Sequence, residues 1–243
     1  MADEHFAPRH CSLHVRVELL SRSPLFAGLS PPEVTAVSQH FREHGYDEGQ
    51  VIYGVGEPAR RLYVVATGKV KLDRTTARGR TILLDILTAG EFFGSLSMLG
   101  DATYRESASA QTACCVLHVA ADGFQAILQR YPSVALAALE LVAARLRAAQ
   151  DSLEHQSVQS AEVRIAALLL KLGVKLGEAH QGSLLIQTPL SRQDLAEMAG
   201  TSVETASRVM SRFRQDGLVR SGRRWVALID QPRLSTIAED HQA

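Results

Sequence analysis

Glu204, Ser207, Arg208 and Ser211 stand at i, i+3, i+4 and i+7, so a helix would place all four on one face. Arginine donates a paired hydrogen bond to guanine O6 and N7, glutamate accepts from cytosine N4, and serine serves in either sense. That chemistry suits base edges in a major groove. Thr205 and Arg212 flank the set and are counted with it. Val203, Ala206, Met210 and Phe213, at i, i+3, i+7 and i+10, are expected to face inward.

Such a helix needs a frame, and the neighbouring residues describe one. Ser191-Arg192-Gln193-Asp194 has the spacing of a capping box and opens a short helix through Leu195, Ala196, Met198 and Ala199. Gly200 breaks it, because a tight turn there needs a backbone conformation that glycine adopts freely. Ser202 caps the second helix. After Val219, the run Arg220 to Ile229 predicts a β-hairpin or wing, with Ser221-Gly222 at its turn. Arg220, Arg223 and Arg224 suit phosphate oxygens there. From Ser191 to Arg224 there are seven arginines and four carboxylates, a local net of +3 on a chain whose formal net charge is zero. A helix hairpin alone is a common shape. Capping box, glycine turn, polar triplet and basic wing together predict binding to double-stranded DNA, through Ser191, Arg192, Gln193, Ser202, Glu204, Thr205, Ser207, Arg208, Arg212 and Arg223.

The remaining elements follow from punctuation and period. At 243 residues the chain has room for two modest domains. A hydrophobic share of 46% with 21% charged residues excludes a disordered charged tail. No run approaches the roughly 18 apolar residues of a membrane span, and the N-terminus lacks a signal-peptide pattern, so a cytoplasmic protein is expected. Residues 1–20 predict a loosely held, histidine-bearing arm. Ser30-Pro31-Pro32-Glu33 predicts a helix start. From Tyr46 to Val119 short apolar runs alternate with glycines, which predicts a compact β-unit, a barrel or roll. Leu136, Leu139, Ala143, Leu146, Gln150 and Leu153 are spaced 3, 4, 3, 4, 3, a coiled-coil period of about 3.5 residues. A parallel homodimer seam is the reading preferred over a helix packed on its own β-unit. Val163, Ala166, Ala167, Leu170 and Val174 are read as one face of the next helix, and Leu184 to Ile186 as a short strand.

With these residues in view, the chain resembles the CRP/FNR family of bacterial transcription regulators. The resemblance covers nearly everything from Leu25 to Ile229. Leu25-Phe26-Ala27-Gly28-Leu29-Ser30 is similar to the family's opening helix. Gly56-Glu57-Pro58-Ala59-Arg60-Arg61-Leu62-Tyr63-Val64-Val65 and Thr67-Gly68-Lys69-Val70-Lys71-Leu72 resemble its cyclic-nucleotide-binding roll. Gly90-Glu91-Phe92-Phe93-Gly94 leads to the place of its phosphate-binding cassette. The resemblance implies an α+β fold: a β-roll (cyclic-nucleotide-binding-like jelly roll), a long dimerisation helix and a C-terminal winged helix-turn-helix. The divisions expected are 1–20 arm, 21–132 roll, 133–158 dimerisation helix and 159–243 DNA-binding domain. RNA polymerase is the implied further partner.

The effector pocket implied by the resemblance comprises Gly94, Ser95, Leu96, Tyr104, Arg105, Ser107 and Ala108. Two departures bear on its ligand. Cyclic-AMP-binding members carry Gly-Glu-Leu where this chain has Gly94-Ser95-Leu96, so the carboxylate for the ribose is missing. Counting back from Ala108, the arginine of such members falls at Tyr104; Arg105 is displaced by one and Glu106 adds a negative charge. Nor does Ala149 or Gln150 supply an adenine-contacting threonine. Cyclic AMP is therefore not the expected effector. The family's oxygen sensors hold an iron–sulfur cluster, which takes a four-thiolate set; Cys11, Cys114 and Cys115 are too few. Haem held by His5, His10, His14 or His118 stays open as an alternative, as does a redox-sensitive thiol. Cys114 and Cys115, adjacent on a strand, should point to opposite faces. No metal site and no enzyme is expected, since phosphate-loop, His-Glu-x-x-His and Cys-x-x-Cys patterns are all missing. A nucleotide-binding module regulating an attached activity is the other class considered; roll, helix and DNA-binding domain leave no residues for that activity.

Overall fold

The computed structural model describes residues 13–75, 81–96, 100, 102–158, 160–188, 190–222 and 224–239. The chain divides into two compact units, Met1–Leu146 and Arg147–Ala243.

The first unit is a roll of two antiparallel sheets. One has the order β1 (Arg42–Tyr46), β8 (Cys114–Ala120), β3 (Arg60–Thr67), β6 (Phe92–Leu96). The other has the order β2 (Val51–Tyr53), β7 (Ser107–Ala110), β4 (Val70–Thr75), β5 (Thr81–Leu87). Residues 62–66 of β3 and 114–117 of β8 are apolar throughout because both faces of the sheet are buried there. Tyr63, Val65, Cys114 and Val116 point into the space between the sheets, with Tyr53, Leu87, Phe93, Tyr104 and Ala108. Their neighbours Val64, Ala66, Cys115, Leu117 and Val119 point the other way, into a second core built with the helices. The two cysteines thus face opposite sides, as their adjacency on a strand requires. Gly68 sits at the β3–β4 turn with φ +76°, where a Cβ would lie 2.3 Å from the Ala113 carbonyl oxygen, so both conformation and space demand glycine.

Four helices meet that second core. α1 (Leu13–Arg22) replaces the later part of the expected arm: Leu20 is wholly buried. Arg16 Nη1 donates to the carbonyls of Phe41 (3.0 Å) and Ser38 (3.4 Å), fastening α1 to the start of β1. An apolar period obscured by arginines and a histidine hid this helix. α2 (Pro31–Ser38) begins with the capping box of Ser30 and Glu33. α3 (Ala121–Arg130) buries Phe124 and Ile127. α4 (Pro132–Val158) turns Val134, Ala137 and Ala138 toward the core, while Leu136, Leu139, Val142 and Leu146 stand 59–66% exposed on other faces. A row of large apolar side chains in water is costly, at about 25 cal/mol per Å2 of apolar surface. Ala143 is half-buried. Leu153 lies on the same helix, but its side chain falls outside the described residues.

In the second unit α5 (Ala161–Leu176) is capped by Ser160, whose hydroxyl accepts from the Val163 amide. It buries Val163, Ile165, Ala166, Leu168, Leu169, Leu172 and Leu176. The expected face was rotated: Ala167 is exposed and Val174 is 89% exposed, because the helix is covered from two sides and its apolar stripe is broad. A hairpin of β9 (Gly177–His180) and β10 (Ser183–Ile186) follows, turned by Gln181 and Gly182 at positive φ. Then come α6 (Arg192–Met198), α7 (Val203–Gln215), β11 (Val219–Gly222), β12 (Trp225–Leu228) and α8 (Gln231–Glu239), which packs on α5. The sheet order is β11-β12-β10-β9. The wing turns later than expected: Gly222 pairs with Trp225, so the turn falls after Gly222, with Arg224 at φ +70°. Gly222 stays in the strand because the Trp225 indole lies where its Cβ would be.

Candidate nucleic-acid interface

Helices α6 and α7 form the expected helix-turn-helix. Ser191 and Asp194 cap each other: the Ser191 amide donates to Asp194 Oδ2 (2.8 Å) and the Asp194 amide to Ser191 Oγ (3.0 Å). Gly200 takes φ +61°, and the Thr201 amide reaches back to the Ala196 carbonyl at 2.8 Å. This closes α6 with the left-handed residue that such endings use. The Ser202 hydroxyl accepts from the Thr205 amide at 3.1 Å and starts α7.

The inward side of α7 consists of Ala206, Val209, Met210 and Phe213. Val209 takes the place expected for Val203, which at the first turn is 37% exposed. The shift follows from the first turn of α7 projecting past its supports. Opposite this stripe Glu204 and Arg208 are exposed, with Ser207 and Ser211 partly so. The amphipathic burial of one side fixes which side chains the other side presents.

The remaining basic and polar residues differ in exposure and in partner. Arg220 and Arg224 on the wing are exposed; Arg223 lies outside the described residues. Others are engaged within the unit. Arg192 is partly buried and donates through Nη2 to the Ser221 hydroxyl on β11 at 3.1 Å, tying α6 to the wing. Burial, with the Arg214 charge nearby, presses its pKa downward. Gln193 donates to the Glu197 carboxylate one turn along. Arg212 pairs with Glu162 of α5 at 3.0 Å and approaches Asp216 at 3.8 Å. Arg164 of α5 donates to the carbonyls of Ala199 and Gly200 at the turn. Sequence reading passed over Arg164 and Glu162; an arginine between the buried Val163 and Ile165 was the available signal.

In the first unit the seven residues of the expected effector pocket do not share one cavity. Tyr104 is 4% exposed and lies between the sheets, stacked on Tyr53 with ring centroids 3.9 Å apart. Tyr53 is in turn 5.5 Å from Tyr63, which stacks on Phe93 at 5.1 Å. The Tyr104 hydroxyl donates to the Arg61 carbonyl and accepts from the Arg61 amide, each at 3.1 Å. The Tyr53 hydroxyl donates to Glu106 at 3.2 Å, so this carboxylate is turned to a phenol. Gly94 and Ser95 pair with Leu62 and Arg61, Ser107 accepts from the Val55 amide, and Ala108 is buried. Leu96 ends β6; its side chain falls outside the described residues. Outside the aromatic stack, Tyr104 and Arg105 do share a cleft of about 450 Å3 with Val55, Gly56, Arg74, Gly100, Ala102 and Thr103. Arg74 Nε donates there to the Arg105 carbonyl at 2.8 Å.

Cys114 and Cys115 are both buried, and burial pushes the Cys114 thiol up to about 11. Reactive thiols need the thiolate and access to it, and this environment opposes both. Among the described residues no group of three or more His, Cys, Asp or Glu side chains could hold a metal ion. His5, His10 and Cys11 lie outside those residues. No single described helix is long and apolar enough to cross a membrane.

Comparison with known proteins agrees with the two units. Residues 43–131 match the cyclic nucleotide-binding domain, and residues 163–237 match the Crp-like helix-turn-helix domain. A Thermus thermophilus protein called cyclic AMP receptor protein is 36% identical over 217 residues, spanning 89% of this chain and 97% of its own. A CRP-like cAMP-activated global transcriptional regulator of Mycobacterium tuberculosis is 28% identical, spanning 90% and 97%. The structure of FixK2 from Bradyrhizobium japonicum aligns with a TM-score of 0.71 at 28% identity, covering 81% of this chain and 96% of that one.

His118 gives this unit a testable dependence on pH. It is half-buried on β8, opposite Arg42 and Tyr63. Burial first, then the charges of Arg61, His44 and Arg42, lower its pKa to about 4. The unfolded imidazole, near 6.5, takes up a proton that the folded one refuses. Its contribution to stability is therefore complete above pH 6.5 and is lost as pH falls toward 4. Melting temperatures at pH 7 and pH 5 should differ more in the natural protein than in His118→Gln; equal differences would contradict this assignment.

Proposed function

Given that this chain belongs to the CRP/FNR family of transcription regulators, we propose that it acts as a homodimer on inverted-repeat DNA with TTGAT-like half-sites, without needing cyclic AMP. The observation that carries the DNA reading is the split of α7: Ala206, Val209, Met210 and Phe213 are buried, and Glu204 and Arg208 are exposed at its N-terminal half. That half enters the major groove first in helix-turn-helix proteins. Glu204-Thr205-Ala206-Ser207-Arg208 resembles the motif of the FNR branch, Glu, two residues, then Ser-Arg, whose half-sites read TTGAT; the resemblance implies that Arg208 reads guanine and Glu204 the cytosine of the opposite strand in the central TGA·TCA core, with Ser207 beside the neighbouring thymine. Val203 offers no donor to an outer guanine, which separates this set from TGTGA half-sites. The wing arginines serve the phosphates, and Ser191, Ser202 and Thr205 border the same surface. RNA polymerase is the further partner, and the cytoplasm the place of action.

Sites recovered by in vitro selection from random DNA should contain two inverted TTGAT-like copies about one helical turn apart; TGTGA half-sites, or sites without inverted symmetry, would count against the reading. Arg208→Ala should cost about 1–3 kcal/mol at the core and relax specificity there, whereas Arg220→Ala should weaken all sequences alike and reduce the salt slope by about one unit.

The exposed Leu136, Leu139, Val142 and Leu146 support the dimer, since a second copy of α4 would cover them. Leu139→Asp combined with Leu146→Asp should sediment as a monomer and bind the full site weakly. A dimer that survives both changes would refute the seam.

Independence from cyclic AMP is supported by Tyr104. Its ring stands where the resemblance puts the phosphate-binding arginine, and it stacks on Tyr53 between the sheets, in a cluster with Tyr63 and Phe93. Titration calorimetry with cyclic AMP should show no saturable heat, and DNA affinity should be the same with and without it. Micromolar binding that Arg105→Ala abolishes would overturn this.

A further inference from the structure

The head of α5 touches both ends of α7. From one turn of α5, Glu162 holds Arg212 near the C-terminal end of α7 at 3.0 Å, and Arg164 holds the turn that precedes α7. The second contact is the more consequential. Arg164 Nε donates to the Ala199 carbonyl at 2.8 Å, and Nη2 to the Gly200 carbonyl at 3.3 Å. Carbonyls at a helix end lack intrahelical partners, and Ala199 is 3% exposed, so water has little access to that residue. A guanidinium satisfies two acceptors at once in a fixed fork, and its charge strengthens each bond. Val163, Ile165 and Ala166, all buried, fix the segment from which it projects.

We propose that Arg164 is a positioning residue for DNA recognition: by gripping the Ala199 and Gly200 carbonyls it sets the α6–α7 turn and so the direction of α7. Only Ala199 to Ser202 separate the two helices. Fixing the Gly200 carbonyl fixes the peptide plane that leads to Thr201 and to the Ser202 cap. The arginine is partly buried and its guanidinium is bonded to the turn, so its contribution to binding passes through the turn and not through phosphate neutralisation. This rests on the reading of α7 as the recognition helix, and it separates Arg164 from Arg220, which belongs to the phosphate group.

The test uses the full chain with Arg164→Ala and Arg164→Lys. Amide hydrogen exchange is measured without DNA, and binding to a selected site and to random DNA is measured across salt concentrations. Arg164→Ala should exchange faster at residues 199–205 than the natural protein, with the β-roll unchanged. Affinity for the selected site should fall about tenfold, the scale of a lost hydrogen bond to a charged group. Binding to random DNA and both salt slopes should hold. Arg164→Lys, keeping the charge without the fork, should fall between. Should Arg164→Ala not fold, Arg164→Lys carries the same two measurements. Unaltered exchange at the turn would overturn the inference, as would a salt slope lowered by about one unit, the sign of a phosphate contact. A selected site that Arg208→Ala binds with undiminished selectivity would instead strike the reading of α7, and exchange at the turn would still decide the role of Arg164.

Discussion

Burial of one sheet on both of its faces is the constraint on which the first unit depends. The sheet β1-β8-β3-β6 divides two cores, and every second residue of β3 and β8 serves a different one. At the fully buried positions a polar side chain without a partner would cost about 1–3 kcal/mol; His118, the polar residue in β8, stands where burial is only partial. On one side the sheet seats α1 to α3 and the first turns of α4. On the other it backs the aromatic stack of Tyr53, Tyr63, Phe93 and Tyr104. The outward leucines of α4 follow from the same arrangement: the helix spends Val134, Ala137 and Ala138 on its own roll and has no further surface there for Leu136, Leu139 and Leu146.

The second unit meets the opposite demand. It must present polar side chains in fixed directions, and it does so by burying what lies behind them. Ala206, Val209, Met210 and Phe213 anchor α7, Arg192 joins α6 to the wing through Ser221, and Glu162 and Arg164 brace α7 from α5. Arginines here differ in exposure and in partner, Arg212 being both exposed and paired, although their codes in the chain are identical. Rigid support of this kind is what lets a few side chains discriminate among base edges.

Periodic and capped elements were legible in the residues themselves. The capping boxes at Ser30 and Ser191, the glycine turn at Gly200, the long α4 and the opposed cysteines stand as their spacing implies. Legibility fails where a side chain's partner is distant in sequence. Nothing local says that Arg192 reaches Ser221 or that Arg164 reaches Ala199, because each bond spans some thirty residues. Stripe assignments slipped where a helix is covered on more than one side, as at Val174, or at an exposed first turn, as at Val203. The wing turn was misplaced because Ser221-Gly222 has turn chemistry, yet the glycine is needed to make room for the Trp225 ring. At the roll, the departure at Tyr104 was visible, but its stacking on Tyr53 across the space between the sheets was not.

That stack behaves as an occupant tied to its own receptor. A diffusible ligand fills a site according to its concentration, and the site empties when the ligand is scarce. An aromatic ring delivered by the chain is present at an effective concentration set by the tether alone. Dilution cannot remove it. A ring carried by the chain thus holds its place at any ligand concentration, while the cleft beside it, lined by Val55, Gly56, Arg74 and Arg105, stays open to solution.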